Sequence, residues 1–273
     1  MVNIDFHNPE DLTFLYERLE KNAPSLRLER RGFRLSITFD EQDREQALFE
    51  LKQGFKQLLK AKRIEWWKNI LREEFYYRDS VEQLQIIDIA QSIANGERKD
   101  VSSLVDFNDE EKRMDEAIWE LLKREETFSF EAFVKFRLRF YLDQLTTYIT
   151  MAIDEYKLEQ DYQMFLNYLR DFVRNRPPQM DRIYIVERDR FSFFDENRRE
   201  ISPLDLYKKI DRKLLSSHPV YVDSAIIAPL ISIAPNDINV YTKNPEQGII
   251  FTLKNIFEEK LQIFPLEGWK NQF

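Results

Sequence analysis

The residues with the clearest chemical potential lie in one stretch, 52–78, where eight basic side chains stand against three acidic ones. The whole chain has the opposite balance, with a net charge of −8. Basic side chains at helical spacing can neutralise phosphates, and aromatic rings beside them can stack on bases. The stretch therefore suggests a nucleic-acid interface, whose candidate residues are Lys56, Lys60, Arg63 and Trp67.

The same stretch also has the pattern of an ordinary amphipathic helix. Apolar residues recur at spacings of four and seven, which would turn one face toward a core and leave the lysines in water. The residues of that apolar face are Phe55, Leu59, Trp66, Ile70 and Tyr77. We favour this second interpretation and keep the nucleic-acid interface as the alternative.

The residue types that usually carry catalysis are sparse or poorly placed for it. The chain has no cysteine, and its two histidines, His7 and His218, lie far apart in sequence. No two of its five glycines lie within ten residues of each other, whereas phosphate-binding loops need closely spaced glycines. Glu155 and Glu159 would share a helix face and could hold a divalent cation, but a solvated acidic face is the simpler interpretation. We therefore expect no enzymatic activity, no bound metal and no cofactor.

The composition favours a folded cytoplasmic protein. Hydrophobic residues make up 43% of the 273 residues, which is enough for a substantial core. The absence of cysteine excludes disulfides and fits a reducing compartment. The first residues, MVNIDFHNPEDL, lack the basic and apolar regions of a signal peptide, and no stretch is apolar for long enough to span a membrane.

Hydrophobic periodicity divides the chain into three predicted parts. Residues 1–40 alternate like strands around one capped helix and predict a small β-α-β-β unit. Residues 41–176 are almost entirely helical, and the long helix after Ser129 either continues to residue 176 or turns near 158–161. Residues 177–273 predict an α/β unit with a hairpin and a β-α-β return. The fold class is therefore α+β, with a mainly helical centre and small β-containing units at both ends.

Two blocks of sequence resemble a known family. The first runs FVKFRLRFYLDQL and AIDEYKLEQDYQMFLNYLRDFV and is followed by two prolines and a hairpin. The second contains ISIAPNDINVYTKN and TLKNIFEEKLQIF. Over residues 129–264 these patterns resemble the YtxC-like family, which is linked by name to sporulation in endospore-forming bacteria. The resemblance implies a bacterial cytoplasmic protein and supplies no catalytic residues.

Three functions remain open from the sequence. The favoured hypothesis is a non-enzymatic cytoplasmic protein that serves sporulation by binding an unidentified protein partner, and it predicts an apolar or mixed-charge surface groove. The alternative is a nucleic-acid-associated protein that uses residues 52–78. The third is an enzyme with a pocket where acids and arginines converge.

Overall fold

The computed structural model describes residues 1–98, 107–211 and 225–270, excluding the side chains of 107–110 and 270. The chain groups into two compact units, Met1–Leu158 and Glu159–Phe273, which we call the N-terminal unit and the C-terminal unit. The sequence suggested three parts, with boundaries after residues 40 and 176. The boundary after residue 40 is absent because residues 1–40 share one continuous core with the helices that follow them, and the second boundary falls after Leu158.

The N-terminal unit combines a small sheet with long helices. Its strands are β1 (Val2–Asp5), β2 (Arg27–Arg31), β3 (Arg34–Thr38) and β4 (Thr127–Ser129). Its helices are α1 (Pro9–Asn22), α2 (Arg44–Glu73), α3 (Ser80–Ala94), α4 (Phe107–Leu122), α5 (Phe130–Arg137) and the first half of α6 (Arg139–Arg174).

The sheet of the N-terminal unit has the strand order β2-β3-β1-β4. Strand β1 pairs antiparallel with β3, where Val2 lies opposite Ile37, and parallel with β4, where Ile4 lies opposite Phe128. Strand β4 comes from a point in the chain far beyond the first three strands. Because it completes their sheet, the predicted small unit and the helical part fold together.

Local sequence signals set the ends of several helices. The side chains of Asn8, Asp79 and Ser129 each accept a hydrogen bond from a backbone N–H in the first turn of the helix that follows. Such caps satisfy donors that the helix itself leaves unpaired. The long helix after Ser129 is broken at Leu138, but α6 then runs without a turn from Arg139 to Arg174. The structure thus resolves the alternative left open by the sequence.

Helix α2 lies close against α1 at Gly54. A Cβ atom added at Gly54 would lie 2.7 Å from Cδ2 of Leu19, which is too close for any larger residue without a shift. The approach brings Lys62 of α2 beside Asp11 of α1.

The C-terminal unit is a five-stranded mixed sheet with most of its helices on one face and a short helix on the other. Its strands are β5 (Arg182–Glu187), β6 (Phe191–Phe194), β7 (Glu200–Ile201), β8 (Asp237–Thr242) and β9 (Leu261–Pro265), in the order β7-β6-β5-β8-β9. Its helices are the second half of α6, α7 (Pro203–Lys209), α8 (Ile227–Ile233), α9 (Gly248–Phe257) and α10 (Glu267–Lys270). Strands β5, β8 and β9 are parallel, as the predicted β-α-β return requires.

Strand β5 explains why both faces of this sheet are covered. Successive side chains of a strand point to opposite faces. Ile183 and Ile185 pack against the helices, whereas Tyr184 and Val186 pack on the other face against Trp269 of α10. The architecture confirms the predicted α+β class. No helix in the described ranges is both long enough and apolar enough to cross a bilayer.

Candidate functional site

Helix α2 carries the whole basic-aromatic stretch up to residue 73. Phe55 and Leu59 are fully buried and Ile70 is 9% exposed, while Trp66 and Tyr77 pack against the core from its border. These are the positions that the amphipathic-helix interpretation assigns to the core. The helix is therefore a structural element of the N-terminal unit as well as the carrier of the candidate cations.

Two of the cations on the basic face are held by acids of helix α4. The ammonium group of Lys52 lies 3.2 Å from Asp115, and that of Lys56 lies 2.7 Å from Asp115 and 3.0 Å from Glu111. A lysine that is already paired in this way would have to break its ion pair before it could neutralise a phosphate. The charge that the sequence assigned to a nucleic-acid interface is thus partly compensated within the fold.

Asp115 gives this cluster a predictable response to acid. Burial by itself would raise the pKa of Asp115, but the ammonium groups of Lys56 and Lys52 hold that pKa below its ordinary value. A carboxyl with a depressed folded-state pKa stabilises the fold above its unfolded pKa and loses that contribution as the pH falls through the folded value.

We therefore expect the N-terminal unit to lose stability progressively below about pH 4, with part of the loss due to Asp115. Asp115→Asn has no carboxyl to titrate, so its stability should fall less steeply over the same range. Urea unfolding midpoints between neutral pH and pH 3 measure both slopes. Identical slopes would show that Asp115 is not one of the responsible groups.

Trp67 is fully buried and is unavailable for stacking on a base in this conformation. Its ring meets that of Tyr148 edge-on, with the centroids 6.5 Å apart. The guanidinium carbon of Arg63 lies 4.9 Å from the centroid of the Trp67 ring. The sequence named Trp67 as a candidate ligand contact, and the structure places it instead in the core as the support of Arg63.

The remaining three candidates, Lys56, Lys60 and Arg63, line one cavity. Their spacing of four and three residues places them on the same side of α2. The cavity has a volume of about 390 Å³, and its other lining residues are Ala94, Asn95, Glu111, Met114, Tyr141 and Tyr148. The structure therefore brings the predicted cations together in a concave site, which a helical stripe alone would not imply.

A buried ion pair lies on another side of α2 and was not foreseen. The Lys62 ammonium lies 2.8 Å from Asp11 of α1 and 2.9 Å from Glu65, and the Lys62 and Asp11 side chains are each 10% exposed. Burial raises the pKa of Asp11 above its ordinary value, although the Lys62 ammonium acts in the opposite direction. In the sequence, Asp11 has only the signal of an acid in the first turn of a helix.

The other groups weighed for chemistry are engaged elsewhere or isolated. Glu155 forms an ion pair with Arg98 at 2.9 Å, and Glu159 accepts a hydrogen bond from Gln163. The His7 ring is exposed, with Nδ1 3.9 Å from Glu131, and His218 lies outside the described residues. In the part of the chain that the structure describes, no three histidine or carboxylate side chains are grouped to hold a metal ion.

The C-terminal unit presents an apolar surface groove that the sequence did not locate. It has a volume of about 340 Å³ and lies where β6, β7 and α7 meet. Its lining includes Phe191, Phe193, Ile201, Pro203, Leu206 and Tyr207, with Arg190 and Glu200 among the polar residues. Beside it Leu204 and Tyr207, three residues apart on α7, are 73% and 66% exposed. We call this set of residues the α7 groove.

Comparison with known proteins places the chain in a family. The model of the YtxC-like family matches residues 55–262, which include most of α2 and the whole α7 groove. The "Uncharacterized protein YtxC" of Bacillus subtilis (strain 168) is 34% identical over 212 residues, covering 77% of this chain and 74% of that protein. No solved structure matches the chain. The chain belongs to the YtxC-like family.

Proposed function

We propose that this protein works in the bacterial cytoplasm in support of sporulation and acts by binding another protein, without catalysing a reaction. The sporulation link rests on the sequence resemblance to a family associated with sporulation in endospore-forming bacteria. The absence of cysteine and the acidic composition fit a cytoplasmic protein. The acids beside the basic cavity are engaged in ion pairs with lysines, which favours a structural role for them over acid-base catalysis.

The observation that carries the proposal is the α7 groove. Leu204 and Tyr207 extend large apolar side chains into solvent beside a concave surface that is itself lined by aromatic and aliphatic residues. Exposed apolar patches with a polar rim mark interaction sites on soluble proteins. Arg190 and Glu200 add one charge of each sign to the lining. Such a groove supports the interaction hypothesis, which predicts an apolar or mixed-charge surface groove.

The geometry fits a protein partner better than a nucleic acid. Interface cores are rich in aromatic and apolar side chains and poor in charge, as the α7 groove is. A nucleic-acid surface instead requires several free cations on one face. On helix α2, by contrast, Lys52 and Lys56 are paired with acids, and Trp67 is buried.

The test is a tagged capture from cells entering sporulation, with and without nuclease, using a matched pair of variants. Leu204→Asp combined with Tyr207→Asp places two charges at the α7 groove. Phe136→Asp is the control, because Phe136 is 72% exposed on α5 in the other unit. We expect one protein to be recovered by wild type and by the control, and to fall about tenfold or more with the groove variant.

Two results would contradict the proposal. Equal recovery by the groove variant and the control would show that the α7 groove is not the binding surface. Loss of every partner after nuclease treatment would favour the nucleic-acid alternative and return attention to residues 52–78.

A further inference from the structure

On one side of helix α2, two cations have no carboxylate partner within the described part of the chain. Its other lysines on this side, Lys52 and Lys56, are paired with acids of α4. Lys60 and Arg63 follow them on the same side, and no described carboxylate lies within ion-pair distance of either. These two charges are therefore available to an external anion.

Both cations line the same cavity as Lys56. Its volume of about 390 Å³ is within the size range of small-molecule sites, roughly 300–1,000 Å³. Among the described residues, three cations and one acid, Glu111, line it, so these residues carry two positive charges in excess. In a chain of net charge −8, a concave site of the opposite sign concentrates anions locally.

The position of Arg63 suits it to bind a phosphate group. Its guanidinium carbon lies 4.9 Å from the centroid of the Trp67 ring, within the range of a cation–π contact. The N–H donors lie in the plane of the guanidinium and remain at its edge, where they match the oxygens of a phosphate. Lys60 adds a mobile point charge one turn earlier in the helix.

We propose that this cavity binds a small molecule carrying a dianionic phosphate group. The two excess positive charges match a dianion, and a volume of about 390 Å³ suits one small molecule. Met114 and Tyr141 provide apolar wall beside the cations, which suits an organic phosphate ester. The site lies in the N-terminal unit, so it is independent of the proposed partner at the α7 groove.

Two probes distinguish the sources of such a phosphate: inorganic phosphate and adenosine 5′-monophosphate, each titrated into the full chain by calorimetry at low salt. We expect at least one to bind with a Kd below about 1 mM and to weaken as salt is added. Equal affinities would identify free phosphate as the ligand. Tighter binding of the nucleotide would identify a phosphate ester.

Matched variants locate the binding. Lys60→Gln with Arg63→Gln should weaken it by about 10- to 100-fold, since each removes a charge-assisted hydrogen bond. Lys68→Gln with Arg72→Gln removes the same charge from exposed positions farther along α2 and should change it less than about twofold. If the first pair fails to fold by circular dichroism, the exposed Lys60→Gln alone should still weaken binding about tenfold.

Three results would overturn the proposal. One is that neither probe binds the wild-type protein at a concentration of about 5 mM, which is well above the Kd expected of a specific site. Another is that the two double variants weaken binding equally, which would indicate diffuse attraction. The last is that a single-stranded oligonucleotide binds at least about tenfold more tightly than the nucleotide, and that Lys60→Gln with Arg63→Gln abolishes this binding. That result would indicate an interface for a nucleic-acid polymer.

Discussion

Replacing Lys62 with methionine is expected to destabilise the N-terminal unit by about 3–5 kcal/mol at pH 7. The change leaves the Asp11 carboxylate buried without the ammonium that lies 2.8 Å away in the wild type. Glu65, the second partner of Lys62, is 57% exposed and remains solvated, so it contributes little to the cost. Methionine keeps most of the side-chain volume, and the effect therefore reports the lost charge.

The pH dependence of this variant identifies the cause. Burial already raises the pKa of Asp11, and loss of the ammonium should raise it further. The folded variant then binds a proton on Asp11 more tightly than the unfolded chain does. Its free energy of unfolding should therefore increase as the pH falls from the raised pKa of folded Asp11 toward about 3.9, the ordinary pKa of an aspartate. The difference in the free energy of unfolding between wild type and Lys62→Met should therefore become smaller in acid.

Urea unfolding followed by tryptophan fluorescence measures these free energies, because Trp66, Trp67 and Trp119 all lie in the N-terminal unit. Lys68→Met is the control, since Lys68 is an exposed lysine of the same helix. Adding Asp11→Leu to Lys62→Met removes the stranded carboxylate and should recover most of the loss. A cost below about 1 kcal/mol for Lys62→Met would show that the pair is solvated.

Trp67→Ala is expected to cost about 3–5 kcal/mol, because it removes a fully buried ring from the contact between α2 and α6. Trp67→Phe should cost less than half of that, since it keeps an aromatic ring at the site. It also removes an indole N–H that is buried without a hydrogen-bond partner among the described residues. The loss of an unpaired donor sacrifices no hydrogen bond.

Circular dichroism during urea unfolding measures this pair of variants without depending on tryptophan emission. The comparison also addresses the role of Trp67 in the candidate site. If Trp67 is a core residue, Trp67→Ala should lose more stability than Trp67→Phe, as described above. If Trp67→Ala left stability unchanged, the ring would not be buried as described, and its assignment as a stacking residue would regain support.

The class and the main elements of this fold are readable from the sequence because they rest on local signals. Asn8, Asp79 and Ser129, residue types that favour the first position of a helix, cap the helices that follow them. The pattern of β5 and the spacing of β8, α9 and β9 specify a parallel return. The family resemblance is also confirmed, and the matched region extends toward the N-terminus as far as residue 55.

The environment of α2 was less predictable because it depends on distant residues. The sequence assigned Trp66 to the core and Trp67 to an interface, whereas Trp67 is fully buried and Trp66 only partly so. A helix surrounded by α1, α3 and α4 buries more than one stripe, and periodicity alone does not reveal how many neighbours a helix has. The acids that pair with its lysines, Asp11 and Asp115, lie 51 and 63 residues away from Lys62 and Lys52.

The α7 groove could not be located from the sequence for a related reason. Leu204 and Tyr207 have the spacing of an ordinary amphipathic helix, and only the tertiary structure shows that their side chains face solvent beside β6 and β7. Phe191 and Phe193 have the alternation typical of a strand, which gives no sign that one end of the strand borders a groove.

The most direct test of the proposed function is the recovery of a protein partner from sporulating cells after nuclease treatment, compared between Leu204→Asp with Tyr207→Asp and the Phe136→Asp control. The account predicts that the control recovers the partner as wild type does, and that the groove variant recovers about tenfold less or none. Equal recovery by the two variants would contradict the central claim that this protein acts by binding another protein through the α7 groove.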